Sequence, residues 1–290
     1  MSARTETVLS ILTAATAWLD ERGVDAPRRS MELLMGHVLG LDRLKLYLAH
    51  DRPVSADERT RLRELVARRG RHEPVAHLLG SWEFYGHELE VGPDVLVPRP
   101  ETEGLVDLAL ARLPAETCRV VDLGTGSGAI AIAIALARPA AEIVAIDCSA
   151  AALAVAARNL ARHGVHDRVR LHAGSWWDAL PPTEAAFDLA VANPPYCDPS
   201  REDDVAADVR RWEPGLALWT PPGRPGAHYQ AIAAGAASRL RAGAHLIFET
   251  GLGATEAALD ALRACQALTA IECLPDLAGL ARYLVARVRA

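Results

Sequence analysis

The chain has 290 residues, half of them hydrophobic, and a formal net charge of −6. That length buries a full core and leaves room for a second small domain, while no apolar stretch reaches the roughly 20 uncharged residues that a membrane helix needs. The opening Met1-Ser2-Ala3-Arg4-Thr5-Glu6 lacks a secretory apolar region, and the five cysteines (Cys118, Cys148, Cys197, Cys265, Cys273) contain no Cys-x-x-Cys pair, so a cytoplasmic protein without a disulfide frame or zinc site is expected.

Residues 5–72 read as helices. Val8, Leu9, Leu12, Ala15 and Leu19 form one apolar stripe, and Leu33, Leu34, Val38 and Leu39 another. Ser55-Ala56-Asp57-Glu58 is a capping box that opens a helix continuing through Leu62, Leu65 and Val66. Arg28-Arg29 and Arg68-Arg69-Gly70-Arg71 are read as solvated helix surface, the alternative being a local basic patch. Residues 82–91 suggest a hairpin turning at Tyr85-Gly86 and leading into Pro98–Glu103. In that proline-stiffened stretch Glu101 either caps the adjacent helix or forms a pocket wall beside Thr102, and Arg99 serves a linker ion pair.

From Cys118 strands alternate with helices, through Ile143–Ile146, Ser149–His163, Val169–His172, Phe187–Ala192, Ala244–Glu249 and Thr255–Cys265. A final strand pair lies around Ala270–Leu274 and Tyr283–Val288. Such alternation specifies an α/β, Rossmann-like doubly wound sheet with its ligand at the carboxyl ends of the strands.

Three places in this alternation carry chemistry. Arg119–Leu123, then Gly124-Thr125-Gly126-Ser127-Gly128, then Ala129–Leu136 reads as strand, glycine loop and buried helix, with helix-start N–H groups facing a carboxylate or hydroxyls. Gly124, Gly126 and Ala129 also fit the dinucleotide fingerprint. Asp122 separates the two readings. Facing a pyrophosphate, its carboxylate would suffer a repulsion of roughly 4 kcal/mol at an effective dielectric of about 20, whereas a sulfonium reverses the sign. Asp122 therefore favours S-adenosylmethionine.

Asp147 closes the next strand about 20 residues beyond the first glycine, the spacing at which an acid bonds ribose hydroxyls. Its alternative role is N-cap of the following helix, which Ser149 could equally fill. In Gly174-Ser175-Trp176-Trp177-Asp178 the adjacent tryptophans point to opposite sides, so one can lie along an adenine ring.

Asn193-Pro194-Pro195-Tyr196 ends the strand Phe187–Ala192. By itself it reads either as a turn or as a clamp. In the clamp, Asn193 Oδ1 and the Pro194 carbonyl accept both hydrogens of a substrate –NH2 and Tyr196 offers an aromatic face. Cys197 is placed near the pocket.

Gly80-Ser81-Trp82-Glu83-Phe84-Tyr85-Gly86, Val95–Glu103, Asp122–Gly128 and Asn193–Tyr196 together resemble the peptide chain release factor glutamine methyltransferases, over about residues 5–288. The resemblance implies an N-terminal helical substrate-recognition domain (1–75), a β-hairpin linker (76–103) and a class I S-adenosylmethionine-dependent methyltransferase domain (104–290). It implies methyl transfer from S-adenosyl-L-methionine to the side-chain amide nitrogen (N5) of the Gln in the Gly-Gly-Gln motif of class I release factors. The cofactor loop maps to Gly124, Thr125, Gly126, Ser127 and Gly128, the ribose acid to Asp147, the adenine-side aromatic to Trp176, and the amide clamp to Asn193, Pro194, Pro195 and Tyr196. Asn193 also borders the cofactor. Asn-Pro-Pro-Tyr is shared with adenine-N6 methyltransferases of DNA and RNA, and ribosomal-protein glutamine methyltransferases are also similar; the Pro98–Glu103 run favours the release factor branch. The segment Trp219–Gly226 departs from the usual pattern.

Charge bears on the partner. Residues 1–75 carry a slight basic excess and the rest an acidic one, without the broad cationic stripe that a DNA methyltransferase needs. The balance favours a protein substrate over nucleic acid; no membrane, no metal and a monomer are also expected.

Overall fold

A computed structural model describes residues 6–114, 116–184, 186–251 and 253–290. The stretch Met1–Thr5, read above for its lack of a secretory region, lies outside them. No helix among the described residues is long and apolar enough to cross a membrane.

The chain divides into two compact units, one of Met1–Gly80 with Ala207–Trp212, the other of Ser81–Ala206 with Glu213–Ala290. The first is helical: α1 (Val8–Asp20), α2 (Pro27–Leu39), α3 (Arg43–Leu48), α4 (Ala56–Arg69) and α5 (Val75–Leu79). Ser55 and Glu58 form the expected capping box at the start of α4. The core of this unit takes Val8, Leu12 and Leu19 from α1 and Met31, Met35 and Val38 from α2. Leu9, expected in the stripe, is 47% exposed. It lies off the arc that α1 turns inward, which Val8, Leu12 and Leu19 already fill.

Several arginines of this unit are paired rather than merely solvated. Arg28 and Arg43 both reach the buried Glu32 carboxylate, and Arg68 reaches Glu73. Arg69 is buried and donates to Ser30 Oγ at 3.2 Å and to the Glu73 carbonyl at 3.1 Å.

The second unit opens with the hairpin β1 (Ser81–Phe84) and β2 (His87–Glu90). Tyr85 and Gly86 turn it at φ 52° and 74°, a left-handed pair that matches the twist of the two strands. Carboxylates of α6 (Glu101–Leu110) hold Tyr85 there: its N–H donates to Glu103 Oε1 at 2.8 Å and its hydroxyl to Asp107 Oδ1 at 2.7 Å. Helix α6 starts inside the stretch read as linker.

The strands and helices that follow are β3 (Cys118–Leu123), α7 (Ala129–Ala137), β4 (Ala141–Asp147), α8 (Ala150–Arg162), β5 (Val169–Ala173) and β6 (Phe187–Ala192). Next come α9 (Ala207–Trp212), which counts with the helical unit, α10 (Gly215–Leu218), α11 (Ala227–Arg239), β7 (Leu240–Glu249), α12 (Thr255–Ala264), β8 (Leu268–Pro275) and β9 (Ala281–Val288). The sheet order is β5-β4-β3-β6-β7-β9-β8. Strands β3 to β7 are parallel, and β9 and β8 close the edge antiparallel. The chain winds from β3 outward to β5 and returns to β6 on the other flank of β3. Such a reversal opens a crevice at the carboxyl ends of the adjacent strands.

Burial on both faces explains the near-continuous apolar strands. Val120, Ile143 and Leu189 face one core with α6 and α7, while their chain neighbours Val121, Val144 and Ala190 face a second core with α11 and α12. Helix α7 is buried on nearly every side, so it needs no polar stripe.

Candidate active site

A cavity of about 230 Å³ lies over the carboxyl ends of β3, β4 and β6. The glycine loop forms its floor. Gly124, Gly126 and Gly128 have φ of 82°, 56° and 84°, values at which a side chain would strain the backbone. The N–H groups of Gly124 and Thr125 both donate to the Ile146 carbonyl at 2.9 Å, and that of Gly126 donates to Asp147 Oδ2 at 2.9 Å. These donors brace the loop on β4. Gly124, Thr125, Gly126 and Ser127 line the cavity, whereas Gly128 is the N-cap of α7 and packs near Ala156 of α8.

Asp147 lines the cavity and ties the loop to the next helix, because its Oδ1 accepts the Ser149 N–H at 2.9 Å. Ser149 itself caps α8 through Ala152. Each carboxylate oxygen of Asp147 thus keeps a lone pair for a ligand hydroxyl.

Asp122 does not face the ligand, contrary to the sequence expectation. It is fully buried and absent from the cavity wall, and its Oδ2 accepts from Thr125 Oγ1 at 2.6 Å. Burial pushes its carboxyl up to about 7. A central strand covered on both faces has no solvent side, so the acid ended beneath the loop, where it supports Thr125. The charge argument that favoured a sulfonium over a pyrophosphate therefore has no direct contact behind it.

Trp176 and Trp177 diverge as expected. Trp176 lines the cavity edge-on to His228, with ring centroids 5.4 Å apart. Trp177 is core, and its Nε1 donates to the Ile232 carbonyl at 2.7 Å.

Of the clamp residues, Asn193 and Pro195 line the cavity, Pro194 is buried, and Tyr196 sits outside the wall with its ring against Gly251. Asn193 Nδ2 donates to Thr102 Oγ1 at 3.3 Å, so Oδ1 is the atom left for a ligand. Thr102 lines the cavity, but Glu101 is exposed and neither caps α6 with its side chain nor enters the wall. Arg99 lines the cavity and pairs at 2.6 Å with Glu213, whose Oε2 also takes the Val97 N–H at 3.0 Å. Cys197 is half-buried and off the wall, while Cys148 is on it.

Trp219, His228 and Glu249 are among the wall or near-wall residues that the sequence did not assign to the site. Trp219 and His228 come from the segment between β6 and β7, Trp219 just after α10 and His228 at the start of α11, outside the apolar face of that helix. Trp219 is aligned with Cys197 by a short parallel bridge. Glu249 ends β7 beside Asn193 and is 1% exposed, and burial pushes it up to about 7. Its signal was an acid closing the apolar run Leu246-Ile247-Phe248.

Comparison with known proteins agrees with this geometry. Residues 10–80 match the PrmC N-terminal domain model and residues 105–211 the methyltransferase small domain model. The release factor glutamine methyltransferase of Bordetella pertussis is 47% identical over 259 residues, covering 88% of this chain and 93% of its own. That of Cereibacter sphaeroides is 40% identical over 280 residues, covering 96% and 98%. A methyltransferase structure from Pyrococcus furiosus superposes with a TM-score of 0.52 at 16% identity, covering 71% of this chain and 91% of that one, which speaks to the fold alone. With its helical unit, its seven-stranded methyltransferase sheet and relatives matched along nearly their whole length, the chain belongs to the release factor glutamine methyltransferase family.

Proposed function

We propose that this chain transfers a methyl group from S-adenosyl-L-methionine to the side-chain amide nitrogen of the Gln in the Gly-Gly-Gln motif of class I peptide chain release factors. It works as a cytoplasmic monomer, with 1–75 as recognition domain, 76–103 as linker and 104–290 as methyltransferase domain. The observation that carries the proposal is the placement of Asn193, with Oδ1 unengaged, on the wall of the cavity that Gly124–Ser127 and Asp147 also line.

The cavity's donor set suits the methyl donor. Asp147 offers an acceptor on each oxygen to a vicinal diol, Trp176 offers a flat wall to a purine, and nothing lies within 4 Å of where a Cβ on Gly126 would stand. Gly124–Ser127, Asp147, Trp176 and Asn193 would hold it, with Gly128 turning the loop into α7. When bound, S-adenosylmethionine supplies a methyl carbon on a positively charged sulfur, which leaves with the bonding electrons.

An amide nitrogen is a poor nucleophile because its lone pair is delocalised. Asn193 Oδ1 and the Pro194 carbonyl accept its two hydrogens, aim the nitrogen at the methyl carbon and stabilise the positive charge that grows on it. Pro195 has no N–H to compete for the Pro194 carbonyl. Tyr196, braced by Gly251, holds the flat carboxamide by stacking. The amide proton leaves after transfer without a dedicated base.

The net charge of −6 weighs against phosphate-tracking substrates. Incubation with labelled methyl donor and, separately, a release factor, its Gln→Ala variant and DNA tests the proposal. Label on the unmodified factor alone is expected; label on DNA, or on the Gln→Ala factor, refutes it.

A further inference from the structure

We propose that Glu249 is a positioning residue for this reaction: acting with Thr102, it holds the Asn193 amide with Nδ2 turned inward and Oδ1 left for the substrate. The inference rests on the clamp reading above. Sheet register brings the parts together. Strands β6 and β7 are parallel with Ala192 opposite Phe248, so the next residues, Asn193 and Glu249, stand side by side at the carboxyl ends. Thr102, the second residue of α6, closes the group.

Hydrogen-bond chemistry gives the group a direction. The Glu249 carboxyl is buried beside the Asn193 and Thr102 side chains, both of which favour its charged form, and Asn193 Nδ2 donates to Thr102 Oγ1 at 3.3 Å. In its ionised form the Glu249 carboxyl only accepts, and in that form it draws the N–H side of the amide and the hydroxyl proton of Thr102 toward itself. Thr102 is then left with lone pairs for Asn193 and no proton for Oδ1. Without Glu249 the hydroxyl can rotate and donate to Oδ1, occupying the acceptor the substrate needs. Glu249 Oε2 has no hydrogen-bond partner among the described residues and the side chain is 1% exposed, a costly placement that a glutamine or leucine would avoid.

Thr102→Val removes the hydroxyl at constant shape, Thr102→Ser keeps it, and Glu249→Ala removes the acid. Thr102→Val and Glu249→Ala are expected to lower kcat on a release factor by about ten-fold, less than loss of a whole preorganised contact, with S-adenosylhomocysteine affinity unchanged. Thr102→Ser is expected to match the wild type. A second readout needs no turnover: the Asn193 side-chain NH2 resonance, assigned by its loss in Asn193→Asp, should exchange slowly with solvent in the wild type and fast in Thr102→Val. Wild-type kcat or slow exchange in Thr102→Val, or equal losses in the Val and Ser variants, overturns the inference. A wild-type chain that leaves the release factor unlabelled defeats the proposed function instead, while the resonance still tests the orientation of Asn193.

Discussion

Replacing Asp122 with asparagine is expected to stabilise the protein, by an amount that grows with pH. The Asp122 carboxyl is fully buried, its Oδ1 has no hydrogen-bond partner among the described residues, and its Oδ2 takes one hydroxyl. Burial pushes it up to about 7, with the Thr125 hydroxyl opposing and the Asp147 charge adding. In an unfolded chain an aspartate titrates near about 3.9. Between those values the folded state holds a proton that the unfolded state has released, so stability falls with rising pH, by about 1.4 kcal/mol per unit. The contribution is complete below the unfolded value and lost as pH passes through the folded one. Over about three units the loss reaches about 4 kcal/mol. Asparagine keeps the shape and an acceptor for Thr125 but cannot ionise, so the variant lacks this slope. Glu249, also pushed up to about 7, titrates in both proteins and cancels in the difference. Urea unfolding of wild type and Asp122→Asn from about pH 5 to about pH 8 should give stabilities that diverge up to about pH 7 and then level off, with the variant the more stable at the alkaline end. Parallel curves would mean that the carboxylate is carried at no cost, and the burial argument would fail.

Asn193→Ala is expected to keep S-adenosylhomocysteine binding and lose about 10²–10³-fold in kcat, the loss typical of one preorganised contact, read by label transfer. Trp177→Ala should cost about 3–5 kcal/mol in urea unfolding, whereas Trp176→Ala should leave stability nearly unchanged and weaken S-adenosylhomocysteine binding by calorimetry. Arg99→Ala leaves the Glu213 carboxylate, whose side chain is 1% exposed, without its cation and should cost about 3 kcal/mol. Adding Glu213→Gln to that variant should recover much of the loss, and strict additivity in the cycle would show that the two do not interact. Gly251→Ala places a Cβ 2.2 Å from Tyr196 Cε2; overpacking of about 1–3 kcal/mol and a larger fall in release-factor turnover than in S-adenosylhomocysteine binding are expected.

What the sequence made legible was the set of polar residues that interrupt apolar runs. Asp147 and Asn193 each close a buried strand, and the left-handed glycines between β3 and α7 announce a turn that other residues would strain. Those features are local, so sequence places them. The orientation of Asp122 was not legible, since a strand buried on both faces offers no periodic difference between a side chain aimed at a ligand and one aimed beneath a loop. Glu249 was hidden for another reason: its meaning comes from the register of β6 against β7, and pairing partners 56 or so residues apart leave no local trace. Trp219 follows α10, which is only four residues long, and His228 sits at the start of α11, off the Tyr229, Ile232, Ala233 and Ala236 face that enters the core. Leu9 shows the reverse error, an apolar residue assigned to a core whose arc was already full.

A parallel sheet delivers every strand-closing polar residue to the same edge, but depth then decides what each can do. Asp147 is half-buried and grips two backbone N–H groups, so it remains an acceptor at the cavity wall. Asp122 and Glu249 lie below the wall, where water cannot stabilise a charge, and their carboxyls are correspondingly hard to ionise. Neither touches the cavity, yet each sits by a threonine that does: Asp122 accepts from Thr125 in the loop, and Glu249 lies beside Thr102 in α6. A hydroxyl whose proton is committed to a buried acid presents only lone pairs to its other neighbours. With the acids ionised, two threonines are thereby turned into acceptors, one beneath the glycine loop and one beside the amide clamp. The stability surrendered by burying the acids fits a site whose geometry is set before any ligand arrives.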